Sequence, residues 1–274
     1  MKKNNLAAYE MKQPLRILIT QAQELASLGA IRSLGAAGHH VIGAYPEYVG
    51  KPAAAYSRYC DETALHPDPW AHQEAFREFI IGFVKTNNID VVLPSCEASI
   101  HALIDSAESL PATCSLLIPN QVSLRYSLSK FEATKVAISA GVTVPKTVFI
   151  DDFKNYTKYQ KDIEDLRYPF IIKADNVSSG NGLYLKGSIA KVSNYAEFTA
   201  ILDEFSTTHE RLIAQETIPG YGVGAFLLMN KGRALMKFAH QRIREVPWSG
   251  GWSSFRKSMN DQKLIARSED FLKY

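Results

Sequence analysis

The sequence predicts an α/β protein in which an N-terminal domain built on a parallel sheet is followed by a second, mostly β domain. Strand and helix patterns alternate through the first third of the chain, whereas strand patterns dominate from residue 168 onward. At 274 residues the chain is long enough for two domains. We place a leader at residues 1–14, the first domain at 15–125 and the second domain at 126–274.

The first domain begins with a βαβ unit. LRILIT at 15–20 is a short apolar strand, residues 25–38 carry apolar side chains at helical spacing, and HVIGAY at 40–45 is strand-like again. A helix over 70–86 and a strand at 89–94 continue this pattern. Because the strands are almost continuously apolar, we expect a parallel sheet that is covered on both faces and binds ligands at the carboxyl ends of its strands.

The second domain starts with a helix over 130–141, which ends at a glycine of the C-cap type. Five strands follow, with one helix at 195–205 inserted among them. We place the strands at 169–174, 183–186, 211–216, 223–229 and 234–243. Runs of strands with an inserted helix indicate an α+β domain.

The composition argues against several classes of protein. The net charge is only +3, from 31 Lys and Arg against 28 Asp and Glu, which disfavours nucleic acid as the main partner. No stretch approaches about 20 apolar residues, so we expect no membrane span. The 3 cysteines include no close pair and predict neither a disulfide framework nor a zinc site, which indicates a reducing, cytoplasmic compartment.

A lysine interrupts an apolar run in YPFIIKADNVSSGNGLYLK, residues 168–186. Strand alternation puts Lys173 on the face opposite Phe170, where a strand would hold it rigidly. The SSGNG loop at 178–182 then offers backbone N–H groups that can wrap phosphate oxygens. On these residues alone, an edge-strand lysine beside a glycine turn is an equally good interpretation.

Two other segments have both a functional and an ordinary interpretation. Lys130 in LSKFEAT starts a helix, where the dipole disfavours a cation and an anionic ligand would relieve the conflict; an exposed first-turn lysine is the more common case. In AQETIPG, at 214–220, a strand breaks into a turn. A flat base could pair with the exposed backbone groups there, or the strand simply ends.

The densest cationic segment is HQRIREVPWSGG, at 240–251, which carries Arg242 and Arg244 two residues apart with Glu245 alongside. Arginines on one strand face repel each other unless an anion or a carboxylate lies between them. The segment therefore favours recognition of a polyphosphate or carboxylate over a solvated charged strand. Its SGG turn is typical of a mobile substrate loop or of a wide hairpin.

Taken in order, these segments resemble the ATP-grasp superfamily, in particular the carbamoyl-phosphate-synthase-like carboxylate–amine ligases. LSKFEAT matches the first nucleotide lysine, YPFIIKADNVSSGNGL the second lysine with its phosphate-covering loop, AQETIPGYGVG the adenine-side hinge, and HQRIRE with SGG the following cationic strand. The N-terminal portion is similar to the family's Rossmann-like pre-ATP-grasp domain. The remainder resembles an ATP-grasp domain without its C-terminal part.

The resemblance implies a site for ATP and a role for each matching residue. Phosphate contacts fall to Lys130, Lys173, Ser179, Gly180, Asn181 and Gly182, the adenine and hinge to Gln215, Glu216, Thr217 and Ile218, and stabilisation of the transferred phosphoryl group to Arg242 or Arg244. The implied chemistry is activation of a small-molecule carboxylate to an acyl phosphate, followed by attack of an amine or ammonia.

The resemblance also implies Mg²⁺, which such enzymes hold with an acidic residue on a late strand and a Glu-x-Asn pair on the next. The sequence ends at IARSEDFLKY before either strand, so we expect a truncated product or half of a split gene. Glu269 and Asp270 fall in a predicted helix and are not assigned as ligands. The metal ligands therefore stay unknown.

Three hypotheses remain open. The chain is a ligase that lacks its last strands, a nucleotide-binding subunit or regulator completed by a partner chain or by a second copy, or a dinucleotide-dependent oxidoreductase. The third is disfavoured because the first turn, TQAQELASLG, contains no G-x-G-x-x-G.

Overall fold

The computed structural model describes residues 13–153, 155–175, 177–178, 184–185, 187–246 and 251–273. These residues divide into two compact units. The first unit comprises residues 13–124 with the short segments 177–178 and 184–185, and the second comprises the rest. No helix among the described residues is long and apolar enough to cross a membrane.

The first unit is a five-stranded parallel sheet with strand order β3-β2-β1-β4-β5. Its elements are β1 (Arg16–Ile19), α1 (Leu25–Ala36), β2 (His40–Pro46), β3 (Glu62–His66), α2 (Gln73–Asn87), β4 (Val91–Leu93), α3 (Glu97–Leu103) and β5 (Ser115–Leu116). Side chains alternate along β1, so Leu18 packs in one core with Phe76 of α2, and Ile19 packs in another with Ile31 of α1. The predicted parallel sheet with two covered faces is confirmed.

Both edge strands of this sheet were absent from the sequence prediction. β3 is largely exposed and polar, and β5 pairs over only two residues. A search for continuous apolar runs finds the central strands, which are buried on both faces, and passes over edge strands of this kind.

The second unit contains two antiparallel sheets. Its elements, with the short hairpin that groups with the first unit, are α4 (Gln121–Ser127), α5 (Lys130–Ser139), β6 (Thr147–Ile150), α6 (Gln160–Glu164), β7 (Phe170–Ala174), β8 (Val177–Ser178), β9 (Tyr184–Leu185), β10 (Ile189–Val192), α7 (Tyr195–Ser206), β11 (Leu212–Glu216), β12 (Val223–Asn230), β13 (Arg233–Val246), β14 (Trp252–Met259) and α8 (Gln262–Lys273). Helix α5 ends as predicted, because Gly141 after it adopts φ +71°.

The first of these sheets has strand order β10-β7-β11-β6. One of its faces forms the main core of the unit, where Phe170 and Ile172 of β7 are completely buried together with Phe198 of α7. The predicted alternation along β7 is therefore correct, and Lys173 lies on the opposite face.

The other sheet has strand order β12-β13-β14. Strand β13 continues three residues beyond its predicted end, and β14 was not predicted. Helix α8 packs against this sheet, with Lys237 of β13 donating a hydrogen bond to Glu269 of α8. Glu269 and Asp270 thus lie on a helix, as the sequence indicates.

Candidate functional site

Three polar side chains form a row across β7, β11 and β6, on the face opposite the main core. The Lys173 Nζ donates to the Gln215 Oε1 at 2.6 Å, and the Gln215 Nε2 donates to the Thr147 Oγ1 at 3.0 Å. Gln215 lies directly opposite Thr147 in the antiparallel register and diagonally across from Lys173. The sheet therefore holds the ammonium group of Lys173 in one place.

The surroundings of Lys173 disfavour the charged form of its side chain. Burial lowers the pKa of Lys173 below its ordinary value of 10.5, and the positive charge of Lys130 lowers it further. The two lysines are thus close enough for electrostatic repulsion between their charges, although 43 positions separate them in the sequence. The acceptor of Lys173 is a neutral amide, and within the described residues neither lysine forms an ion pair.

Lys130 is the first residue of α5. Ser129 is the N-cap of this helix and accepts a hydrogen bond from the backbone N–H of Glu132 at 3.0 Å. The backbone N–H of Phe131 is capped from another element, because it donates to the Asp175 Oδ1 at 3.2 Å. The start of α5 is therefore tied to the residue that follows β7.

The four predicted hinge residues, two at the end of β11 and two after it, make different contacts. Glu216 bonds back to Lys146, whose backbone N–H donates to the Glu216 Oε1 at 2.7 Å, and the Thr217 Oγ1 donates to the carbonyl of Pro169 at 2.8 Å. Ile218 is 60% exposed. The Gln215 side chain accepts the hydrogen bond from Lys173. Of the four predicted hinge side chains, only Ile218 therefore offers an exposed apolar surface.

Arg242 and Arg244 line a pocket of about 470 Å³ together with the loop that precedes β12. The Arg242 Nη1 donates to the Glu245 Oε1 at 3.1 Å and to the carbonyl of Gly251 at 2.9 Å. Among the described residues, the buried Arg242 Nε has no hydrogen-bond partner. The β13–β14 register shifts on both sides of Arg244, so the two arginines are not simple alternate residues of a regular strand.

No family model matches the chain. In sequence it is similar to the phosphoribosylamine–glycine ligase of Archaeoglobus fulgidus, with 24% identity over 166 residues, 60% of this chain and 34% of that protein. The enzyme of the same name from Streptococcus suis is 22% identical over 152 residues, 55% of this chain and 35% of that protein. The chain thus spans about a third of the length of the curated relatives it matches.

Solved structures with a similar fold include the L-amino acid ligase from Bacillus licheniformis, with a TM-score of 0.64 and 12% identity over 96% of this chain and 60% of that one. The biotin carboxylase from Campylobacter jejuni has a TM-score of 0.69 and 16% identity over 95% of this chain and 59% of that one. The chain has the ATP-grasp fold. The ATP-grasp fold that the four motifs predict is thereby confirmed, whereas the domain boundaries and the roles of single residues stay predictions.

Ser179, Gly180, Asn181 and Gly182, the predicted phosphate-covering loop, lie outside the described residues. Sequence reasoning missed Asp175 and Arg211, which contact the start of α5; the signal available was an aspartate two positions after the strand lysine.

The described residues of this chain do not form a magnesium site. They contain no group of three or more His, Cys, Asp or Glu that could hold a metal ion. Glu245 is paired with Arg242, and Glu269 is paired with Lys237. Since a hard dication needs several free oxygen ligands, these two acids do not fit Mg²⁺.

Proposed function

We propose that this ATP-grasp chain binds ATP through Lys130 and Lys173 and supplies the nucleotide-binding part of an ATP-dependent carboxylate–amine ligase. The observation that carries the proposal is the lysine pair itself. Burial and the charge of Lys130 both disfavour a protonated Lys173, and the acceptor that the described residues give it is a neutral amide, which does not compensate the positive charge. A polyphosphate placed between the two ammonium groups would remove this conflict.

The arginine pocket supports the second half of the proposal. Within the part of the chain that the structure describes, the buried Arg242 Nε lacks a hydrogen-bond acceptor that an anionic group would supply, and Arg244 lines the same pocket. In the proposed reaction, a carboxylate oxygen attacks the γ-phosphorus and ADP leaves. An amine then displaces phosphate from the acyl phosphate to give an amide. The protein contributes positioning and positive charge to both steps.

A nucleotide-binding subunit without turnover is the second candidate. It is favoured by one observation, the lack of a magnesium donor set among the described residues. Both candidates require nucleotide binding, and only the first requires ADP release by this chain.

The test of nucleotide binding is the thermal unfolding midpoint with and without ATP. ATP at about 100 times its Kd should stabilise the protein by about 2.7 kcal/mol, a readily measured shift. Lys173→Met should abolish the shift, because it removes the charge but keeps the apolar stem. Lys161→Met, at an exposed lysine of α6, should leave the shift intact.

No shift in the wild-type protein would contradict both candidates, and a full shift in Lys173→Met would show that the strand lysine is structural. ADP release over a panel of carboxylates and amines then separates the ligase from the binding subunit. Release that needs both a carboxylate and an amine would establish the ligase.

A further inference from the structure

We propose that Asp175 and Arg211 form a positioning clamp that fixes Lys130 relative to Lys173, so that the two lysines present their charges at a set spacing. This inference rests on the proposed nucleotide site. The clamp residues act through α5 and are not assigned a contact with the nucleotide.

The carboxylate of Asp175 joins β7 to the first turn of α5. Its Oδ2 accepts from the Ser129 Oγ at 2.5 Å, and its Oδ1 accepts from the backbone N–H of Phe131 at 3.2 Å. These partners are the residues on either side of Lys130. A negative charge at a helix N-terminus also offsets the unfavourable placement of the Lys130 cation there.

Arg211, just before β11, closes the connection from the other side. Its Nε lies 3.3 Å from the Asp175 Oδ2, its Nη2 donates to the Ser129 Oγ at 3.3 Å, and its Nη1 donates to the Glu132 Oε1 at 2.6 Å. The guanidinium carbon also lies 4.9 Å from the centre of the Phe131 ring. The planar fork of an arginine can make all these contacts at once, which a lysine ammonium cannot.

The clamp residues lie next to the strand that carries Lys173 and next to the strand that pairs with it. Asp175 is two residues after Lys173, and Arg211 is two residues before Ile213, which pairs with Lys173 in the sheet. Any movement of α5 relative to β7 that changed the distance between the lysines would have to break these hydrogen bonds. Asp175 is only 8% exposed, so loss of a partner would leave a buried charge uncompensated.

The experiment is a double-mutant cycle on ligand binding with the full chain. The Kd values of ATP and of adenosine are measured for the wild type, Asp175→Asn, Lys130→Met and the double variant. Asp175→Asn keeps the shape of the side chain and removes its charge. It should weaken ATP about tenfold, equivalent to one hydrogen bond to a charged group, and leave the Kd of adenosine unchanged.

In the Lys130→Met background, Asp175→Asn should have no further effect on ATP, because the lysine that the clamp positions is gone. Arg211→Lys, which keeps the charge but loses the fork, should give a smaller loss of ATP affinity and serves as the second variant if Asp175→Asn does not fold. Asp165→Asn, at an exposed aspartate paired with Lys146, is the control and should leave both Kd values unchanged.

Two results would overturn the clamp while leaving the nucleotide site in place. One is equal weakening of ATP and adenosine, which a purely structural role would produce. The other is the same loss of ATP affinity in the presence and absence of Lys130. A wild-type protein that does not bind ATP would overturn the proposed function itself, and the clamp with it.

Discussion

Gln215→Met should destabilise the protein through Lys173. Methionine has the length of glutamine but no amide, so the buried Gln215 position stays filled while two hydrogen bonds are lost. The bond from the Lys173 ammonium is charge-assisted at 2.6 Å, and such bonds contribute about 1.5–3 kcal/mol. The bond to the Thr147 hydroxyl is neutral and contributes about 1 kcal/mol. Because Lys173 can partly rotate toward water, we expect a total loss of about 2–3 kcal/mol.

The measurement is urea unfolding at pH 7, with the free energy of unfolding extrapolated to water. Thr147→Val is the control, because it removes the neutral bond to Gln215 and leaves the charged one. It also removes the hydrogen bond that the Thr147 Oγ1 donates to the carbonyl of Pro145, so it should cost about 1–2 kcal/mol. If Gln215→Met costs no more than about 1 kcal/mol, which is the contribution of its neutral bond alone, the Lys173–Gln215 bond contributes nothing, and the argument that the sheet fixes this ammonium group is wrong.

Three further predictions follow from the electrostatics and packing of the second unit, the last with Gly82 of the first unit as its control. ATP affinity should fall as pH rises through the lowered pKa of Lys173, at pH values below 10.5, and Lys173→Arg should remove this dependence because arginine stays charged. The same depressed pKa disfavours the charged native state, so the free energy of unfolding should rise with pH between the native and unfolded pKa values, and this rise should be absent in Lys173→Met. Gly222→Ala would place a Cβ 2.7 Å from the Arg242 Cδ and 2.9 Å from the Glu245 Oε1; because both atoms belong to flexible side chains that can shift, it should cost about 1 kcal/mol in urea unfolding, the low end for an overpacked site. Gly82→Ala, in α2 with no atom within 4 Å of the added Cβ, should instead stabilise by about 0.5–1 kcal/mol, and a similar sign for both glycines would contradict the close approach at Gly222.

The sequence predicts most of the central elements and few of the peripheral ones. Strands β1, β2 and β7 can be predicted because each is a short run of apolar residues or an alternation of apolar and polar ones. Strand β14 does not, since its eight residues mix serine, basic and aromatic side chains and most of them are exposed. A strand of this kind is stabilised by pairing with β13, a long-range contact that a local pattern does not contain.

The site follows the same division. Lys130 and Lys173 are recognisable because each stands at a special place in a local pattern, a helix start and an apolar strand. The residues that position these lysines are not recognisable in the sequence, because their contacts are distant. Asp175 bonds to Ser129 across 46 positions, and Arg211 bonds to Glu132 across 79. Such pairs are decided by how α5 lies on the sheet, which depends on packing that the sequence pattern leaves open.

The identity of the acceptor of Lys173 depends on strand register. Gln215 pairs with Ile171 and so shares the face of Lys173, whereas Glu216 pairs with Phe170 and bonds to Lys146 instead. Since side chains alternate along a strand, a slip of one residue would bring the Glu216 carboxylate to the face of Lys173. A carboxylate there would neutralise the ammonium group and oppose a phosphate. The neutral amide satisfies the same hydrogen bond and leaves the charge free for a ligand, so the buried row of Leu212 and Ala214, which fixes the register, also fixes the charge of the site.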